Sequence, residues 1–135
     1  MMMDGTLLSL SLTPESQDAS GYHGRKILHS LTVNVLNDDR MKIRAYLAGF
    51  PGSTHDNRVW KNMNQYQVPE DFFSPLEYVI CDTAYEPTSL CVSAFKCVSG
   101  DGLIMHPDKT LFNTILAKPR VWAEHMMGLW KADAE

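Results

Sequence analysis

Tyr78-Val79-Ile80-Cys81-Asp82 sets four apolar residues in a row and closes them with an acid. A short continuous apolar run bounded by polar residues reads as a strand buried on both faces, inside a sheet covered by helices. In open α/β sheets, ligands and chemistry gather just beyond the carboxyl ends of such strands, so Asp82 is aimed at a site rather than at bulk water. Two other acids have similarly pointed settings. Asp4 precedes Gly5-Thr6 and the stretch Leu7-Leu8-Ser9-Leu10-Ser11-Leu12, and Glu124 lies within Arg120-Val121-Trp122-Ala123-Glu124-His125-Met126-Met127-Gly128-Leu129-Trp130, a segment of helical character. We read Asp4, Asp82 and Glu124 as converging to hold divalent metal ions.

Outward from that strand, the pattern predicts the remaining elements. Thr6 to Leu12 fits a short first strand, ended by Pro14, and the polar stretch from Glu15 to Gly24 is a loop. From Lys26 to Leu36, Leu28, Ser30, Thr32 and Asn34 alternate with Ile27, His29, Leu31, Val33 and Val35, the period of a half-buried second strand. Asn37-Asp38-Asp39-Arg40 supplies turn chemistry, and Lys42 to Ala48 alternates again, so strands two and three form a hairpin. Ser53-Thr54-His55-Asp56 has capping-box spacing ahead of a helix that carries Val59, Trp60 and Met63. A polar connector with Pro69 and Pro75 leads to the Asp82 strand, and Leu90 to Val98 reads as one more strand. Thr110 to Lys118 and Arg120 to Lys131 read as helical, with Pro119 either starting the last helix or kinking a longer one. Trp122, Met126, Met127 and Trp130, at helical spacing, are assigned to the core. A three-strand meander followed by a strand beside the first is the layout of an α/β, ribonuclease-H-like domain: a mixed five-stranded sheet flanked by helices.

Composition narrows the function. With 135 residues, 44% hydrophobic and 21% charged, the chain fits one compact domain. No run approaches the roughly 18 to 20 apolar residues of a membrane span, and no secretion signal is recognisable, so an intracellular protein without a membrane partner is expected. Cys81, Cys91 and Cys97 lack paired CxxC spacing; neither a disulfide framework nor a zinc knuckle is expected, and Cys81 reads as a buried thiol. The net charge of −4 argues against non-specific adhesion to a polyanion. It leaves room for a nucleic-acid enzyme, because acids that bind metal lower the count while their ions restore positive charge where phosphate sits. Two carboxylates about 5 Å apart repel by roughly 3 kcal/mol at an effective dielectric of about 20. Magnesium or manganese removes that penalty, and two ions about 4 Å apart can flank a scissile phosphodiester.

The blocks Asp4-Gly5-Thr6, Tyr22-His23-Gly24-Arg25-Lys26, Ala48 through Trp60, Cys81-Asp82-Thr83-Ala84-Tyr85 and Ala117 through His125 occur in order along nearly the whole chain. In this combination the chain resembles the DDE endonuclease domain of Harbinger-type transposases. The resemblance implies a ribonuclease-H-like fold, two Mg²⁺ or Mn²⁺ ions, and excision and joining of transposon DNA by hydrolysis followed by attack of a freed 3′-hydroxyl. It implies Asp4, Asp82 and Glu124 as the catalytic, metal-holding acids. DNA is the implied partner, with a separate DNA-binding protein and oligomer formation as further expectations, and the nucleus as the location.

Several residues keep two readings. Asp56 is an additional acid beside the metals or a helix-start residue favoured by the helix dipole. His55 contacts phosphate or orients an acid, or is a partly buried hydrogen-bonded histidine. Arg25, Lys26, Lys118 and Arg120 are DNA-phosphate contacts or ordinary solvated surface. Glu124 also has an ion-pair reading with Arg120 four residues back. Against the family pattern, Cys81 stands where glycine is common, only Met1-Met2-Met3 precedes Asp4, and eleven residues follow Glu124. The expectation is a DDE domain over 1–135 that is incomplete at both termini, with a catalytically inactive remnant or domesticated DNA- or protein-binding domain as the alternative.

Overall fold

The computed structural model describes residues 1–10, 29–96 and 105–134. Arg25, Lys26, Cys97 and the start predicted for the second strand lie outside them. Strands β1 (Met2–Ser9), β2 (Ser30–Asn37) and β3 (Ile43–Pro51) precede two short helices, α1 (Asp56–Lys61) and α2 (Asn64–Gln67). A 3₁₀ turn (Pro69–Asp71), β4 (Val79–Cys81), β5 (Cys91–Ser93) and the 28-residue α3 (Pro107–Ala134) complete the order. The sheet runs β3-β2-β1-β4-β5. β1, β2 and β3 form the antiparallel meander, while β4 lies parallel to β1 and β5 parallel to β4. This is the mixed, helix-flanked sheet expected of a ribonuclease-H-like domain.

Side-chain alternation divides the sheet into two packed faces. Met3, Leu36, Val79, Cys81 and Cys91 meet Trp60, Met63, Phe73 and Tyr85 on the α1 side. Val33 and Val35, with Leu8, meet Met126, Met127 and Trp130 of α3 on the other. Met2 and Met3 are buried, so the two residues ahead of Asp4 suffice to seat β1. β2 is covered on both sides. Its polar row does not face water: Thr32 Oγ1 donates to the Pro51 and Thr54 carbonyls, and Asn34 Nδ2 donates to the Asp56 carbonyl at 3.0 Å. Fully buried Thr32 and Asn34 thereby dock the loop entering α1 onto the sheet.

Several local expectations are corrected. β1 begins at Met2, four residues before the predicted start, because pairing with β2 extends past Gly5 to Met2. β5 is limited to three residues. The β2–β3 turn is organised by Asp38, whose carboxylate accepts from Arg40 N, Lys42 N and Arg44 Nε, while Met41 takes the left-handed conformation at φ 59°. Helix α1 starts at Asp56, so His55, which makes no side-chain cap bond, stands at the N-cap position two residues after the predicted Ser53. The two C-terminal helices are one, with Pro119 inside it. Its ring fits the helical φ, and the missing N–H leaves one helical bond to Ile115 unmade. Trp122 is 55% exposed: the core stripe runs through Leu116, Ala123, Met126 and Met127, and Trp122 falls off it. Cys81 and Cys91 are joined as a disulfide between neighbouring strands, not held as thiols. Both lie on the same face of adjacent β4 and β5, which ten residues of chain bring together.

Candidate active site

The site forms where β4 leaves β1. Met2 of β1 pairs with Ile80 of β4. Two residues further along each parallel strand stand Asp4 and Asp82, which the pleat puts on the same face as Leu8, the face that α3 covers. Helix α3 packs on both strands. It carries Arg120 and Glu124, one turn apart on the same side of the helix.

Arg120 is the hinge of this arrangement. Its Nη2 lies 3.2 Å from Asp82 Oδ1 and 3.5 Å from Glu124 Oε1, so a single guanidinium bridges the acid after β4 and the acid of α3. Asp82 Oδ1 also accepts from Thr83 N at 2.5 Å and Thr83 Oγ1 at 3.3 Å, fixing the carboxylate over the turn that follows β4. Asp4 Oδ1 accepts from Gly5 N at 2.9 Å. Its carboxyl is pushed up from the ordinary 3.8 to about 6, chiefly by burial, opposed by the Gly5 N–H and reinforced by the charges of Glu124, Asp82 and Asp56. The four acids therefore lie within one another's field.

Asp56 reaches this neighbourhood from the opposite face. A Cβ on Gly5 would sit 2.6 Å from Asp56 Cγ and Oδ1 and 3.0 Å from Asn34 Oδ1. The absence of a side chain at Gly5 is what lets the α1 acid press against the backbone of β1, directly behind Asp4. Asp56 is the first residue of α1, and its charge reaches Asp4 from behind β1. His55 is exposed, contrary to a partly buried reading, because it precedes the helix on the solvent side of the loop. Lys118 is exposed on α3, whereas Arg120 is turned to the acids.

Tyr85 was quoted within the Asp82 block without a role. It is buried, its hydroxyl makes no hydrogen bond among the described residues, and its pKa is raised by burial and then by Asp56, Asp4 and Asp82. The signal available in the sequence was its spacing three residues after Asp82, one turn of chain that Tyr85 N closes onto the Asp82 carbonyl at 3.1 Å. Among the described residues, no three His, Cys, Asp or Glu side chains stand close enough together to grip one ion. The donor chemistry nevertheless suits a hard cation, since every acid here offers carboxylate oxygens, and the charges of Glu124, Asp82 and Asp56 reach a carboxyl whose pKa burial already raises.

No curated protein and no solved structure matches the chain. Residues 3–133 match the family described as DDE superfamily endonuclease. An acid within β1, a second just past the end of the parallel neighbour β4, a third on the helix that packs on both, and a family match over almost every residue lead to one conclusion: the chain belongs to the DDE superfamily endonucleases.

Proposed function

We propose that this chain is the nuclease domain of a Harbinger-like transposase, hydrolysing phosphodiester bonds at transposon ends and joining the freed 3′-hydroxyl to new DNA in the nucleus. DDE endonucleases generally use divalent metal ions, and transposase nuclease domains act on DNA. The observation that carries the reading is the gathering of Asp4, Asp82 and Glu124 where β1, β4 and α3 meet: one guanidinium reaches both Asp82 and Glu124, and Asp4, its pKa raised chiefly by burial, also feels the charges of Glu124, Asp82 and Asp56. Like charges gathered in one site are costly unless a cation is shared among them.

Asp4, Asp82 and Glu124 would hold Mg²⁺ or Mn²⁺, with Asp56 supporting Asp4 from behind. Bound there, such ions supply an activated water or hydroxyl and stabilise the leaving oxygen. The chain's own residues do the rest. Thr83 orients Asp82, Gly5 N orients Asp4, and Arg120 neutralises Asp82 and Glu124 until a cation takes its place. Released from that pairing, Arg120 is free to meet a DNA phosphate together with Lys118.

A second reading, a catalytically silent DNA- or protein-binding domain, draws on the Arg120 bridge and on the absence of a ready three-ligand cluster among the described residues. Nicking of supercoiled DNA separates the two. Magnesium-dependent nicking by the wild type, lost in Asp82→Asn and Glu124→Gln, supports the enzyme. A folded protein that binds manganese in calorimetry but never nicks supports the silent domain.

A further inference from the structure

Beside the acids lies a groove of about 650 Å³, walled by the turn that follows Asp82, the chain leaving β5 and one aromatic ring of α3. Thr83, whose N–H binds the Asp82 carboxylate, is part of its wall, so the groove adjoins the acid after β4. Phe95 and Phe112, 45% and 37% exposed, line it too. Their centroids are 5.3 Å apart, with the rings inclined by 65°.

Phe95 is held in place by an unusual device for a solvent-facing aromatic. Asn113 of α3 accepts from Phe95 N at 2.9 Å through Oδ1 and donates to Phe95 O at 3.1 Å through Nδ2. Both backbone polar groups of one residue are thus satisfied by one amide, which anchors the backbone that carries the ring without burying the ring. Lys109 Nζ stands over one face of the Phe95 ring, 5.2 Å from its centroid, which leaves the other face for a base, and exposed Lys96 follows Phe95 in the chain. The acid on the groove wall, Glu86, is paired with Lys61 at 2.8 Å and so offers little opposition to an anion.

An exposed ring on an anchored backbone, with an ammonium group over one face and another next in the chain, can stack a nucleobase on its other face and meet its phosphate. Bases inside a duplex have both faces covered, so a base must be unpaired or turned out of the helix to use such a ring. We propose that this groove is a subsite for an unpaired nucleotide adjoining the scissile phosphate, its base stacked on Phe95 beside Phe112 and its phosphate met by Lys96 and Lys109. The assignment rests on the endonuclease reading for which phosphate lies next door, while base stacking itself is independent of cleavage.

Fluorescence anisotropy with a labelled oligothymidylate and with a blunt duplex of equal length, in calcium buffer, tests it on the full chain. Phe95→Ala is expected to weaken single-strand binding about tenfold or more, Phe95→Trp to preserve it, and far-UV dichroism to show both variants folded. Asp82→Asn should keep the Phe95-dependent binding. If that binding persists while no protein form nicks DNA, the endonuclease reading fails and the subsite stands. Wild-type single-strand affinity in folded Phe95→Ala, or no oligothymidylate binding by the wild type, overturns the subsite even if nicking is observed.

Discussion

Asp4 and Arg120 shape the site in different ways. Burial first, and then the charges of Glu124, Asp82 and Asp56, raise the Asp4 pKa from the ordinary 3.8 to about 6, so the folded state binds a proton that the unfolded chain releases between those values. The stability this gives the metal-free protein is fully present below the unfolded value and is lost as pH rises through about 6. Urea titrations at several pH values should show that decline, and Asp4→Asn should flatten it. Cation binding below that pH must expel the proton, so calorimetry in buffers of different ionisation enthalpy should register proton release that disappears in Asp4→Asn. Arg120 lies between two of the acids, at 3.2 and 3.5 Å. Because a divalent ion must compete with it, Arg120→Gln is expected to tighten manganese binding several-fold in calorimetry while weakening DNA binding. Gly5→Ala tests the contact behind Asp4. The methyl would collide with Asp56, and an overpacked site of this kind costs about 1–3 kcal/mol in denaturant unfolding.

Elements differ in how plainly they could be read from the chain. The strand before Asp82 was legible from its apolar run, but its cover on both faces was not borne out: Val79 and Cys81 are fully buried on the α1 side, whereas Ile80 is only partly covered and Tyr78, 49% exposed, lies outside the strand. β2 was legible as a strand but not as a fully covered one. Ser30, Thr32 and Asn34 look like a solvent row until the loop before α1 is known to bind them. The site shows the same division. Three acids could be singled out by their settings, but the bridge from Arg120 to Asp82 and the nearness of Asp56 to Gly5 depend on how β1, β4, α1 and α3 meet. The Cys81–Cys91 bond was hidden for a related reason: spacing in sequence says nothing about which strands become neighbours. Pro119 left two readings, the start of a last helix or a place inside a longer one, and the structure has the longer helix. Pro119→Ala restores the absent N–H and should raise stability by about 1–3 kcal/mol, read from denaturant midpoints, provided the following turn keeps its path.

At the scale of the whole molecule, the proposed ligands come from three distant stretches of chain, and the last rides on a helix moored by few large side chains. Met126 and Met127 pack against Val33, Val35 and Leu8, while the opposite side of α3 leaves Leu111, Ile115 and Leu129 exposed. Met126→Ala should cost about 2–5 kcal/mol through the cavity it leaves, measured by chemical denaturation. The strands beneath have their own support from Trp60, Met63 and Phe73 on the far side. Gentle warming should therefore lift this rod away first and silence the chemistry while the pleated scaffold is still intact. A heat-inactivated sample caught early would look nearly native to infrared spectroscopy of the strands, and would recover on cooling.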